Sequence, residues 1–197
     1  MTYELFIALT GFAFVSSVTP GPNNLMLMAS GANFGFRRTV PHMLGIGLGF
    51  TLMTALVGVG LAHVFAAYPM THVILKIGSV VYMSWLAWKI ATAAAPKERH
   101  AEARPITFLQ AAAFQWVNPK AWAMALTAVT VYAGSGGTEA VLMVALIFGV
   151  INLPSVSIWT VLGQQMRRFL TNPTRLRLFN WTMAILLMGS LWPVLIA

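Results

Sequence analysis

Long apolar segments separated by short polar ones are the feature that most limits how this chain can fold. Each segment is long enough to cross the roughly 30 Å hydrocarbon layer of a bilayer, which takes about 20 helical residues. Only 8% of the 197 residues are charged, whereas about a quarter of the residues in a soluble domain are charged. The sequence therefore predicts an all-α integral membrane protein with about six transmembrane helices. The segments run at about 5–36, 40–67, 72–92, 106–133, 138–164 and 178–197.

The distribution of basic residues predicts the orientation of the chain. Nearly all Lys and Arg residues fall between predicted spans one and two, three and four, or five and six, and Lys76 and Lys120 are the exceptions. Because cytoplasmic loops retain basic residues, these three loops are predicted to lie in the cytoplasm. Both termini would then face the periplasm. A net charge of +8 follows from this topology, so no nucleic-acid partner is expected.

Several kinds of chemistry lack the residues that they need. Cysteine and aspartate are absent, and the glutamates fall near or beyond the span ends, so paired-carboxylate catalysis within the membrane has no candidates. The chain is therefore not expected to be an enzyme, and no cofactor or metal is predicted. His42 and His63 could carry protons, although a lone histidine near a helix end is more often structural. The histidines, which lack zinc-like spacing, are His42, His63, His72 and His100.

Two clusters of helix-breaking residues lie in the middle of predicted spans one and four. They are Thr19-Pro20-Gly21-Pro22-Asn23-Asn24 and Asn118-Pro119-Lys120. A proline lacks the N–H that a helical carbonyl needs, and in hydrocarbon that carbonyl must find protein or a water-filled cavity. Since the clusters occupy matching positions, we predict a polar cavity between them rather than two packing kinks. Pro154 is interpreted as an ordinary kink, and Asn152 as an interhelical hydrogen bonder.

The matching breaks also predict an internal repeat within a single transporter domain, 1–197. Repeat one covers about 1–95, a polar linker covers 96–105, and repeat two covers about 106–197. Because each repeat holds three spans, the second is inserted upside down relative to the first, an arrangement frequent in secondary transporters. In an alternative topology, the first broken segment is a re-entrant hairpin and the N-terminus stays inside the cell.

The broken helices predict a binding site for a small zwitterion. Half-helices that begin after a break present free N–H groups and a partial positive charge, which attract a carboxylate. The preceding carbonyls and the amides of Asn23, Asn24 and Asn118 can accept hydrogen bonds from an ammonium group. Lys120 carries a charge near the centre of a span, where charge is costly, and is predicted to face the substrate. The alternative is that Lys120 snorkels toward the membrane interface.

The same residues resemble the LysE/RhtB superfamily of amino-acid exporters over nearly the whole chain. The resemblance implies export of small amino acids or their derivatives across the bacterial inner membrane, driven by the proton motive force. The favoured hypothesis is an exporter with alternating access around the paired breaks. A channel or a non-transporting scaffold is the alternative. The sequence does not identify which group carries the proton or whether the protein forms a homo-oligomer. The motifs are the two break clusters, Gly35-Phe36-Arg37, the glycine-rich second span and Tyr82 to Lys89, and the stretch Trp85 to Thr92 resembles the cysteine and O-acetylserine exporter branch.

Overall fold

The computed structural model describes residues 1–61, 67–68, 70–93, 104–134 and 136–190. All regular secondary structure within these residues is helical, which confirms the predicted all-α class for this part of the chain. The helices in chain order are α1 (Tyr3–Val18), α2 (Pro22–Phe34), α3 (Phe36–Leu56), α4 (Met70–Ala91), α5 (Phe108–Phe114), α6 (Pro119–Ala128), α7 (Gly137–Met166) and α8 (Pro173–Gly189). A 3₁₀ turn follows α5 at Gln115–Val117, and π-helical turns follow α3 at Val57–Leu61 and α6 at Val129–Ala133.

Two of the described helices are long and apolar enough to cross a membrane unaided. They are Phe36–Gly60, which extends α3, and α7, with 25 and 30 residues. Helices α1 and α2 qualify together as a third, broken span with a bend of 56°. The arrangement of six spans in two inverted repeats stays a prediction. Most of the predicted linker, residues 96–103, and the end of the last predicted span, 191–197, lie outside the described residues.

The outward faces of the helices are apolar. Leu48, Leu146, Val150 and Ile185 are each more than half exposed. Soluble monomers rarely expose large contiguous apolar patches, whereas a helix in hydrocarbon has its backbone groups satisfied internally and can present apolar side chains to lipid. This surface fits lipid as the surrounding solvent.

Buried apolar side chains form two clusters, and each predicted break lies between them. Helix α1 contributes Ala13 to one cluster, whereas α2 contributes Leu25 to the other. In the opposite order, α5 contributes Phe114 to the second cluster and α6 contributes Ala121 to the first. Both broken helices therefore pass from one apolar cluster to the other at their break.

Glycines allow α2 to pack directly against the C-terminal half of α7. A Cβ atom on Gly31 would lie 2.2 Å from the carbonyl oxygen of Thr160. A Cβ atom on Gly163 would lie 2.0 Å from the carbonyl oxygen of Met28. Small residues at such interfaces let helix backbones approach closely. The glycines of the second predicted span act in the same way, since a Cβ on Gly45 would meet the backbone of α5 at 2.3 Å.

Candidate functional site

Both predicted breaks interrupt helices in the structure. Helix α1 ends at Val18 and α2 begins at Pro22, after Gly21 in an extended conformation with φ −172°. The second broken helix resumes at Pro119, with Asn118 as the N-cap of α6. A proline is well tolerated at the first position of a helix, because the N–H that it lacks would have no helical partner there. Prolines therefore begin the second half of each broken helix.

The two breaks lie against each other in antiparallel order. Lys120 Nζ donates a hydrogen bond of 2.5 Å to the carbonyl oxygen of Thr19. Asn23 Nδ2 donates to Gln115 Oε1 at 2.9 Å, and Gln115 Nε2 donates back to Asn23 Oδ1 at 3.2 Å. Residue numbers thus rise through the first break as they fall through the second. Lys120 therefore reaches from the second break to the first.

Side chains satisfy the backbone carbonyls that the first break frees. Asn24 Nδ2 donates to the carbonyl oxygens of Ser17 at 2.9 Å and Thr19 at 2.8 Å. The indole Nε1 of Trp159, on α7, donates to the carbonyl oxygen of Val18 at 3.0 Å. Lipid offers no partner to such groups. Here the protein itself supplies the donors, and the interruption is stable without a helical ladder.

A small cavity, which we call the break cavity, lies where the two breaks meet. Its volume is about 20 Å³, which is room for about one water molecule. Of the predicted site residues, Gly21, Asn23, Asn24, Asn118 and Lys120 line it. The other four, Thr19, Pro20, Pro22 and Pro119, belong to the breaks but do not line this cavity.

Asn152 forms the interhelical hydrogen bond that the sequence predicted, and it also lines the break cavity, which the sequence did not predict. Its Nδ2 donates to Ser17 Oγ at 3.0 Å. Its Oδ1 is buried and has no hydrogen-bond partner among the described residues. A buried acceptor without a partner is both costly and rare, so this oxygen is available to a donor on a ligand. The available signal was an asparagine two residues before Pro154 in the middle of a predicted span.

The positive end of the break cavity is formed by Lys120 and the start of α2. Helix α2 has no side-chain cap on its first N–H groups, so its partial positive charge faces the cavity uncompensated. The start of α6 differs, because Asn118 Oδ1 accepts the backbone N–H of Lys120 at 3.2 Å. Among the described lining residues none is acidic. This end therefore suits a carboxylate.

The remaining wall of the break cavity is apolar. It consists of Phe50 from α3, Ala121 and Met124 from α6, and Val156 from α7. A ligand held between Lys120 and the unpaired oxygen of α7 would place its side chain against this wall. The break cavity has no room for an amino-acid side chain against this wall unless the helices move apart.

A second and much larger cavity, which we call the arginine cavity, opens between the α2–α3 and α7–α8 connections. Its volume is about 1210 Å³, and its lining includes Arg37, Arg38, Arg167 and Arg168. The backbone N–H of Phe36 at the start of α3 donates to a side-chain oxygen of α7 at 2.6 Å. These arginines belong to two of the loops that the sequence predicted to be cytoplasmic.

Known proteins resemble this chain over most of its length, including both breaks. The sequence profile described as LysE type translocator matches residues 14–190. Similar curated proteins include the cysteine/O-acetylserine efflux proteins of Escherichia coli (strain K12) and Shigella sonnei (strain Ss046). Each is 35% identical to this chain over 133 residues, which is 67% of this chain and 67% of the relative. No solved structure matches the chain significantly.

Proposed function

This chain belongs to the LysE type translocators, and on that premise we propose that it exports small amino acids or their derivatives across the bacterial inner membrane. A translocator with several apolar helices is a multi-pass membrane protein and not an enzyme. The relatives that are named for cysteine and O-acetylserine efflux favour a small neutral amino acid as the substrate. Protons are the proposed coupling ion.

The observation that carries the proposal is the break cavity, which offers complementary ends to a zwitterion. The substrate carboxylate binds Lys120 and the uncapped start of α2. The substrate ammonium donates to Asn152 Oδ1, which has no other partner among the described residues. The substrate side chain packs against Phe50 and Met124. Two charges a few ångströms apart on one small molecule satisfy both ends at once.

The break cavity is too small in this structure to hold an amino acid, and the proposed mechanism requires it to widen. A volume of about 20 Å³ holds about one water molecule and no amino acid. On opening, the substrate carboxylate replaces the Thr19 carbonyl as the partner of Lys120. Access then alternates between the two membrane faces around the breaks, as in transporters with inverted repeats. A channel would instead need a continuous open path.

Efflux from loaded cells tests the proposed function. Cells with and without the protein are loaded with a panel of labelled amino acids, and the initial efflux rates are compared. We expect faster, saturable efflux of small neutral members such as cysteine, and efflux that slows when the proton gradient is collapsed. Efflux that rises linearly with concentration and ignores the gradient would favour a channel. No protein-dependent efflux of any amino acid, at proven membrane abundance, would contradict the proposal.

The proposed topology places both termini in the periplasm and can be tested with single cysteines, because the chain contains none. An impermeant thiol reagent should label Thr2→Cys in intact cells and should label Thr171→Cys only after the cells are opened. The reverse pattern would overturn the topology. Protection of both positions in intact cells would support the alternative in which the first broken segment is a re-entrant hairpin.

Replacing Asn152 with leucine should weaken substrate binding. The change removes the unpaired acceptor from the break cavity and the hydrogen bond to Ser17. A lost hydrogen bond to a charged group is worth about 1.5–3 kcal/mol, which corresponds to a rise of about tenfold or more in the half-saturating concentration. Ser157→Ala is the matched control, because that hydroxyl on the same helix bonds only the carbonyl of Leu153. Equal half-saturation in both variants would remove Asn152 from the site.

Gly21→Ala should lower transport without lowering membrane abundance. An added Cβ would lie 2.6 Å from Lys120 Cδ and 3.2 Å from Nζ, so the flexible lysine side chain must move away from the cavity. Misplacing one charged hydrogen-bond donor should reduce the transport rate about tenfold. Gly11→Ala serves as the control, since nothing lies within 4 Å of a Cβ there. Equal rates in the two variants would show that the position of Lys120 is unimportant.

A further inference from the structure

His42 on α3 is a buried histidine whose ring nitrogens have no partner within the part of the chain that the structure describes. Its side chain is fully buried, and neither Nδ1 nor Nε2 forms a hydrogen bond with any described residue. A neutral imidazole has one N–H donor and one acceptor nitrogen, and leaving each unsatisfied costs about 1–3 kcal/mol. A buried histidine that serves packing alone normally has its polar atoms satisfied. The ring nitrogens of His42 are therefore available to a partner that binds only part of the time.

His42 lies on α3 between the two cavities. Arg38 lines the arginine cavity and Phe50 lines the break cavity. With a rise of 1.5 Å per residue, His42 is about 6 Å along the helix from Arg38 and about 12 Å from Phe50. His42, Ile46 and Phe50 follow at intervals of four and so lie on one stripe of the helix. The fully buried Ile46 separates the histidine from the break cavity.

Other buried polar groups lie at the same level of the helix bundle. Thr39, one turn before His42, shares a hydrogen bond of 2.9 Å with Ser30 of α2. The hydroxyl of Thr160 on α7 is buried without a partner among the described residues, and its backbone faces Gly31. Three helices thus contribute hydroxyl groups between the cavities. Such a layer can hold water when the helices move apart.

The helices packed against α3 bring no second titratable group to this level. Within the described residues α2, α5 and the turn after α5 contain none. On α7 the single titratable group is Glu139, about 30 Å along the helix from Thr160. On α6 it is Lys120, which bonds the opposite break. The nearest charges on α3 itself are Arg37 and Arg38, which line the arginine cavity.

We propose that His42 is the residue that carries the coupling proton, an inference that rests on the proposed export function. When the break cavity is open to the outside, the unprotonated ring nitrogen takes a proton from hydronium in the water that reaches it, which leaves water and an imidazolium. When the arginine cavity opens inward, the imidazolium gives one proton to water there and becomes neutral again. Only N–H and O–H bonds form and break. The substrate travels in the opposite direction.

The test uses the purified full-length protein in liposomes and compares two transport modes of His42→Gln. The first mode is exchange of labelled cysteine, kept reduced, against unlabelled cysteine at equal pH, which needs no net proton movement. The second mode is accumulation of labelled cysteine driven by a pH gradient. We expect the variant to exchange within about twofold of the wild-type rate and to lose gradient-driven accumulation. A glutamine retains hydrogen-bonding groups but cannot take up a proton near neutral pH.

Thr54→Val is the matched control, because Thr54 is a fully buried polar residue of the same helix whose hydroxyl bonds only the carbonyl of Phe50. The control should keep both modes. Gradient-driven accumulation by His42→Gln at the wild-type level would overturn the proposal, and so would loss of exchange together with accumulation. If the glutamine variant does not fold, His42→Asn is judged by the same two assays. Failure of the wild-type protein to exchange any small amino acid would instead overturn the proposed function.

Discussion

Replacing Lys120 with methionine should abolish export while leaving the membrane abundance of the protein unchanged or higher. The change removes the one cation among the described residues that line the break cavity, and with it the bond to Thr19. Removing one partner of a buried charge pair costs about 2–5 kcal/mol, so the rate should fall about 30-fold or more. Abundance should not suffer, because a lysine at the centre of a span costs about 2.5–3.5 kcal/mol on insertion scales.

Two further lysine variants make this prediction specific. Lys120→Arg should keep part of the activity, since a forked guanidinium does not occupy the volume of an ammonium group. Lys76→Met on α4 is the control for loss of a positive charge, because Lys76 lines neither described cavity. Unchanged rate and half-saturation in Lys120→Met would refute its role at the site. A lost rate with unchanged half-saturation would move Lys120 from binding to the conformational cycle.

Alanine at Gly31 or Gly163 should destabilise the folded protein. The atoms that an added Cβ would meet, at 2.2 and 2.0 Å, are the backbone carbonyl oxygens of Thr160 and Met28. Backbone atoms cannot swing aside as a side chain can, so α2 and α7 must separate. Overpacking of this kind typically costs about 1–3 kcal/mol per site, and a double variant should lose most of its membrane abundance. Thermal unfolding of the detergent-purified protein measures the single changes.

Gly11→Ala again serves as the control, because its Cβ would meet nothing within 4 Å. It should melt close to the wild-type temperature. Melting of Gly31→Ala and Gly163→Ala at the same temperature as Gly11→Ala would show that the two helices can separate at little cost. The packing of α2 on α7 would then not be the rigid contact that the glycines indicate.

The helix breaks could be predicted from sequence because their cause is local. A proline lacks its N–H wherever the chain goes, so Pro22 and Pro119 mark the helix starts without any tertiary information. Hydropathy is also a local property of the sequence. It indicated that lipid surrounds the helices and so predicted the all-α class. The residues that each break contacts, in contrast, depend on the tertiary structure. The bond between Lys120 and Thr19 joins residues 101 positions apart, and sequence position alone does not predict which residues meet at that distance.

Asn152 and His42 show what sequence reasoning could not reach. An asparagine within an apolar span predicts a hydrogen bond but does not say whether both ends of its amide find partners. Only the three-dimensional structure shows that Asn152 Nδ2 donates a hydrogen bond, whereas Asn152 Oδ1 has no partner among the described residues. The sequence allowed His42 either a structural role or a role in carrying protons, and only the structure shows that its ring is fully buried without a partner among the described residues. The small volume of the break cavity could not be predicted either, because it depends on how closely the two breaks pack against each other.

The hydrogen bonds at the first break allow the two halves of the broken span to change the angle between them. In an intact helix, a swing of one half against the other must pull apart several backbone hydrogen bonds together. Here α1 and α2 meet at 56°, and the carbonyls at the joint are bonded by the side chains of Asn24, Trp159 and Lys120. Those side chains can rotate to follow the carbonyls as α1 tilts. A substrate carboxylate that binds Lys120 would remove one of these bonds, the one that joins the end of α1 to the start of α6.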